Sequence, residues 1–280
     1  MDLGLALRPT VFSPTESVKI TSELSSVSYF FIPDIQGTTD PIVLALSILM
    51  KRDDCYAGSG VIRILEHDIL NLSRQVRTIQ DLTGNRFFLG VGVGATPNSA
   101  STIMDQFINS INSVRSTNNE LKIYAAALRE GMARKVAGIA DGIILNFSTF
   151  SHAGRMARAF KSRGGRTVFS YLKIFISWNE ERAEEMAKEE LVKYGSMPQY
   201  ASLFEKEKII REVSNIEENS RNILKVLQAK GVLLVNPSNS ELNTAIMFFK
   251  NSGVDVPIIY PYFSLNYSTE EKIESLKKLI

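Results

Sequence analysis

One cysteine, Cys55, stands in 280 residues. That count excludes an internal disulfide and a cysteine-rich metal cluster, and it fits a reducing cytoplasm. Histidine is almost as scarce. His67 and His152 stand far apart in the chain, without metal-ligand spacing and without a recognisable nucleophilic triad. No apolar run approaches the roughly 20 residues of a membrane span. The start, MDLGLALRPT, is too short and too quickly polar for a signal peptide, so a cytoplasmic protein away from membranes is expected. Neither charge sign prevails: the net charge is +2 and the basic residues are dispersed, which speaks against an electrostatic grip on nucleic acid. Low-complexity tracts and long repeats are missing too.

What is present is ordinary for a soluble globular chain, with 44% hydrophobic and 22% charged residues. Short apolar runs alternate with helical patterns. LGLAL, VSYFFIP, YAGSGVIRI, RFFLGVGVG, LKIYAAAL, DGIILNF, RTVFSYLKIFIS and VPIIYPYF read as buried strands. Between them lie helical stretches with legible ends. Asp40 and Pro41 suit a cap and a first helical position. Ile69, Leu72, Val76, Ile79 and Leu82 keep helical spacing until Gly84. A long charged helical region spans about 179–230, and GVLLVNP is either a short extra strand or the lead-in to the next helix. Eight or nine strand–helix units without a composition break predict an α/β protein, a single (β/α)8 TIM barrel over residues 1–280 with a mainly helical insertion. An open doubly wound sheet would show similar alternation, but about 250 residues is typical of the barrel.

Three glycines, Gly90, Gly92 and Gly94, alternate in RFFLGVGVG. A dinucleotide fingerprint needs G-x-G-x-x-G after a first strand, and a Walker loop needs Gly-Lys-Ser or Gly-Lys-Thr; neither occurs. Alternate strand residues share a face. The glycine face therefore leaves room for a neighbouring backbone, a large side chain or a planar ligand, with close packing the plainer explanation.

The company of these glycines carries a resemblance. YAGSGV, LNLSRQVRTIQDLTGN, FFIPDIQGTTDPIVLALSIL, KIYAAALREGMARKVAGIADGIILNF, the Tyr194–Pro198–Tyr200 pattern and LLVNPSNSELNTAIMFFKNSGVDVPIIYP follow in register along nearly the whole chain. Together they resemble the bacterial luciferase-like flavin and deazaflavin oxidoreductases. The nearest branch is the coenzyme F420-dependent one, of the methylenetetrahydromethanopterin reductase type. The resemblance implies a luciferase-like barrel, often a homodimer, that moves a hydride between the deazaflavin and a small organic substrate. It leaves two alternatives: an FMN-dependent monooxygenase or reductase, and a noncatalytic flavin-binding paralogue.

The resemblance also assigns positions. Asp34 matches an aspartate beside the cofactor, or is a turn residue. Gly60 and Val61 match a bulged strand end that backs the ring through a cis peptide in relatives, or form a simple bulge. Asn98 matches an asparagine that contacts the cofactor, or is a helix cap. Ala125, Ala126, Ala127 and Leu128 match the strand end against which the cofactor's phosphate lies. Arg129 is either a phosphate partner or a solvated charge. Glu66 and His67 are the candidate proton carriers near the pocket. Ile35 stands where the family commonly has histidine, and Ala95 where some relatives have glutamate. No resident metal is expected.

Overall fold

Closure is decided by the last strand. The computed structural model describes residues 2–94, 100–216 and 220–280. In chain order the elements are β1 (Gly4–Ala6), α1 (Pro14–Glu23), β2 (Tyr29–Ile32), α2 (Pro41–Leu49), β3 (Tyr56–Ser59), β4 (Ile62–Arg63), a 3-10 turn (Ile64–Glu66) and α3 (Ile69–Thr83). There follow β5 (Phe87–Gly92), α4 (Ala100–Thr117), β6 (Lys122–Ala126), α5 (Glu130–Val136), β7 (Gly142–Leu145), α6 (Phe150–Lys161) and β8 (Thr167–Ile176). The chain ends with α7 (Glu180–Gly195), α8 (Pro198–Lys206), α9 (Ile210–Ser214), α10 (Ser220–Ala229), β9 (Leu233–Val235), α11 (Asn239–Asn251), β10 (Val256–Phe263) and α12 (Thr269–Leu279). β10 pairs in parallel with β1 on one side and β8 on the other. The sheet therefore returns on itself as a (β/α)8 barrel, and the open doubly wound alternative is excluded.

Local chemistry explains the element ends. Asp40 Oδ1 accepts from the backbone N–H groups of Ile42 and Val43 at 2.8 and 3.0 Å, with Pro41 opening α2. Ser13, Ser238 and Ser268 each form a capping box with the glutamate three residues on. Gly84 ends α3 in the left-handed conformation. The expected third strand is not continuous: it is split into β3 and β4 by the peptide bond between Gly60 and Val61, which is cis. GVLLVNP does contain an extra strand, β9, which pairs with the far end of β8. The chain leaves β8 and returns at β9 side by side: the Ser177 N–H donates to Asn236 Oδ1 at 2.9 Å, and the Asn236 N–H to the Phe175 carbonyl at 2.8 Å.

Two apolar layers hold the barrel. Between strands and helices pack residues such as Leu5, Ile32, Leu89, Val91, Ile143 and Leu172. Inside, the inward positions are aromatic: Phe31, Phe88, Tyr124, Phe169 and Tyr171 pack ring on ring, with centroids 4.6 Å apart for Phe31–Phe88 and for Tyr124–Phe169. Among the described residues no helix is long and apolar enough to cross a membrane.

At Gly90 and Gly92 the glycine face is taken up by the third strand, by backbone at the first and by a side chain at the second. A Cβ on Gly90 would lie 2.0 Å from the Ser59 carbonyl oxygen, and one on Gly92 would lie 2.9 Å from Val61 Cγ2. Ser59 Oγ seals the approach, donating to the Gly90 carbonyl at 2.8 Å and accepting its N–H at 3.0 Å. These glycines make room for the broken third strand; they are not a surface for a ring. Gly90→Ala is expected to cost about 1–3 kcal/mol or more through overpacking against immobile backbone. Gly131→Ala, where nothing lies within 4 Å of the added carbon, should be neutral or stabilise by up to about 1 kcal/mol. Urea unfolding of both variants measures the contrast.

Candidate active site

In a barrel of this kind the carboxyl ends of the strands face one mouth, and the reactive groups gather there. At the end of β3 the Gly60 N–H donates to the Ile32 carbonyl at 2.7 Å, and Tyr171 Oη donates to the Gly60 carbonyl at 2.7 Å. A Cβ on Gly60 would lie 2.3 Å from that same Tyr171 oxygen, so only glycine fits. The cis bond that the resemblance implies is present, and it leaves Val61 half-buried at the mouth.

Beside it Arg63 joins two of the candidate residues. Its guanidinium reaches Asp34 Oδ2 at 3.5 Å and Glu66 Oε2 at 3.2 Å. Glu66 is thus the exposed end of an ion-paired chain. His67 is half-buried just after the 3-10 turn, where its N–H donates to the Ile64 carbonyl at 3.2 Å. Arg63 Nε is buried with no partner among the described residues. Asn98 and Ala95 lie outside the described residues.

Across the mouth, Ala125 and Ala127 are buried, while Ala126 and Leu128 are half-buried. The Leu128 carbonyl faces His152 Nε2 at 3.2 Å, and His152 Nδ1 faces Ser148 Oγ at 2.9 Å. Burial lowers the His152 pKa despite the pull of Glu207, which makes it a neutral brace under the strand end. Arg129 is exposed and reaches Ser202 at 3.5 Å. Its basic neighbours are already engaged: Lys206 with Glu130 at 3.1 Å, and Arg155 with Glu130 and Glu207. Asn146, after β7, donates from Nδ2 to Tyr200 Oη at 2.8 Å, yet its Oδ1 is buried without a partner among the described residues. Phe147 follows with φ of +51°, uncommon and costly for a bulky residue. Its ring packs on Tyr194, Tyr200 and Phe204 from α7 and α8, which cover this side of the mouth.

Beneath that cover lies a group of charges. Lys173, on the inward face of β8, has a side chain only 1% exposed. Its Nζ donates to Tyr262 Oη at 2.8 Å and stands 3.5 Å from Glu190 Oε1. Tyr262 Oη donates to that carboxylate oxygen, and Arg8 Nη1 donates to it at 3.0 Å. Burial pulls the Lys173 pKa down to about 7, against the attraction of Glu190. For Glu190 burial would raise the value, but Lys173 and Arg8 outweigh it and hold the carboxyl below its ordinary range. Sequence reasoning missed this group. Two signals could have found it: a lysine at an inward position of an apolar strand, and a glutamate inside the Ala183, Met186, Ala187, Leu191 stripe of α7.

Elsewhere, a groove of about 510 Å³ lies between α1 and α2 in the outer layer. Its Asp40 is spent as a cap and its Lys19 pairs with Glu270, so it offers no free chemistry.

No family model matches the chain, and no curated protein matches it by sequence. Solved structures match in shape. A coenzyme F420-dependent tetrahydromethanopterin reductase from Methanopyrus kandleri is 13% identical, with a TM-score of 0.68 over 99% of this chain and 97% of the other. An F420-dependent secondary alcohol dehydrogenase is 9% identical, with a TM-score of 0.72 over 100% of both chains. The oxygenating constituent of a Pseudomonas putida 3,6-diketocamphane monooxygenase, in complex with FMN, is 10% identical, with a TM-score of 0.65 over 100% of this chain and 96% of the other. At these identities the likeness is one of fold.

The buried charges set a pH dependence. Lys173 binds its proton more weakly folded than unfolded, about 7 against 10.5, so its burial opposes folding fully below pH 7 and less as pH climbs toward 10.5. Glu190, held below 4.5, supports folding above that value and loses the support as pH falls through its folded value. Glu190→Gln is expected to cost about 3–5 kcal/mol at about pH 6, by leaving Lys173 and Arg8 charged and unpaired. The cost should shrink at about pH 9, where Lys173 can shed its proton. Denaturant unfolding at the two pH values measures both.

Proposed function

We propose that this chain is a luciferase-like oxidoreductase that holds coenzyme F420 at the barrel mouth and serves hydride transfer to or from a small organic molecule. The observation that carries the reading is the pairing of the broken third strand, with Val61 turned to the mouth, and a rim on which Asn146 and Arg63 keep buried polar atoms that have no partner among the described residues. Buried polar atoms without partners are costly, and a heterocycle edged with N–H and carbonyl groups is the chemistry that would satisfy them. The fold adds support, since two of the matching structures are of F420-dependent proteins.

When bound, the deazaflavin would supply the redox step, accepting or giving the hydride. The chain's own residues do the rest. Val61 would back the ring, and the half-buried Ala126 would offer a small side chain beside it. Asp34, steadied by Arg63, would accept from hydroxyl groups of the cofactor, and Arg129, exposed just after β6 and without an ion pair among the described residues, would meet its phosphate. Tyr194, Tyr200 and Phe204 exclude water from the side covered by α7 and α8. FMN is the competing ligand, because one of the matching barrels is in complex with it. Residence in the cytoplasm and assembly as a homodimer belong to the same reading.

Equilibrium titration of the purified chain with coenzyme F420 and with FMN tests the proposal. Saturable binding of F420 is expected, weakened roughly tenfold or more in Asn146→Leu, which removes one polar partner worth about 1–3 kcal/mol. Tighter binding of FMN would reassign the cofactor, and binding of neither would end the reading.

A further inference from the structure

Lys173 is enclosed by aromatic faces. Its Nζ lies 4.2 Å from the ring centroid of Tyr260, 4.5 Å from Phe147, 4.9 Å from Tyr194 and 5.2 Å from Tyr262. Ring faces attract a cation, but they do not replace its hydration. An ammonium has three donors to satisfy. Among the described residues it meets one close acceptor, Tyr262 Oη at 2.8 Å, and one long one, Glu190 Oε1 at 3.5 Å. A neutral amine is as well served there as an ammonium.

The groups that face Lys173 come from every neighbouring element. Glu190, Lys193 and Tyr194 face it from α7, Tyr260 and Tyr262 from β10, and Arg8 from beyond the end of β1. Phe147, the remaining ring, carries no charge. Glu190 favours the ammonium, while Arg8 and Lys193 oppose it. Burial keeps the Tyr260 and Tyr262 hydroxyls protonated far above neutrality.

The hydrogen bonds run in one direction. Lys173 donates to Tyr262, Tyr262 donates to Glu190, and Glu190 also accepts from the half-buried Arg8. A proton can therefore pass along the chain without any side chain moving. The ammonium gives its proton to Tyr262 Oη as Tyr262 gives its own to the Glu190 carboxylate, leaving a neutral amine and a carboxylic acid. No net charge is created, but Arg8 loses its anionic partner while Glu190 holds the proton, so the charged pair is the resting state.

We propose that Lys173, Tyr262 and Glu190 form a proton store for the barrel mouth, in which Lys173 keeps the proton at rest and the Glu190 carboxylate takes it through Tyr262 only as it is passed on. Its use in catalysis rests on the oxidoreductase reading, because a hydride added to a carbon–oxygen or carbon–nitrogen double bond must be matched by a proton. The store itself does not depend on that reading. Lys173 and Tyr262 are positioning residues here, acting through Glu190.

The test uses the cofactor-free chain labelled on lysine, with the Lys173 signal assigned by its contacts with the Phe147 and Tyr260 rings. Its Cε chemical shift is expected to titrate with a midpoint near neutrality, and Tyr262→Phe should slow exchange of the Nζ protons with water by about an order of magnitude. A Lys173 that stays charged beyond about pH 9, or an exchange rate indifferent to Tyr262→Phe, overturns the proposal. The titration is read in the wild-type chain, so a variant that fails to fold does not rob it of force. If neither F420 nor FMN binds while Lys173 titrates near neutrality, the oxidoreductase reading falls and the store stands. In a cofactor-loaded, active chain, Lys173→Arg keeps the charge but cannot release a proton. It should flatten the neutral limb of the rate–pH profile; an unchanged limb would sink the store's part in the reaction.

Discussion

Two backbones meet at Ser59 and Gly90 more closely than any side chain would allow, and the architecture of the mouth follows from that contact. Because β5 presents hydrogen where other strands present carbon, β3 can lean in, break at Gly60 and resume as β4. The Ser59 hydroxyl ties the two strands at the point of approach. The break turns Val61 toward the mouth and brings the Gly60 carbonyl under Tyr171, so strands on opposite sides of the barrel are joined through one hydroxyl. A packed aromatic interior then does what barrel cores do: it fills the cylinder and leaves the chemistry to the rim.

Much of this was legible in the sequence because the signals were local. Asp40–Pro41, Gly84 and the short apolar runs of β8 and β10 act over a few residues, and each of these elements formed where its pattern lay. The glycine triplet was legible as a close approach but not as to what approaches, since spacing says nothing of the neighbour across a sheet. The polar partners at the site were the hardest to read. Arg63, which joins Asp34 to Glu66, is one arginine among many until the fold brings the three together. Glu190 is one glutamate in a helix crowded with them, and only its place in the buried stripe sets it apart. Lys173 was readable in principle, as a charge in a strand whose inward neighbours are Tyr171 and Phe175.

The lysine also changes how the helical cover is understood. α7 meets the barrel through an apolar stripe, as amphipathic helices do, but the stripe contains a carboxylate that two cations claim. Replacing such a group by hydrocarbon is often harmless to stability, whereas removing one partner is not. Its presence therefore favours one seating of α7 over the others that a purely greasy face would permit.

That cover has a further property, fixed by where it begins and ends. Ser177 and Asn236 are hydrogen-bonded neighbours, so the intervening segment that carries α7 to α10 sets out and comes home at a single point on the rim. Lengthening, shortening or exchanging what lies between them need not alter the stagger of any stave. A lineage could thus re-tailor the roof over a fixed furnace, changing which molecules are admitted while the cylinder below keeps its register.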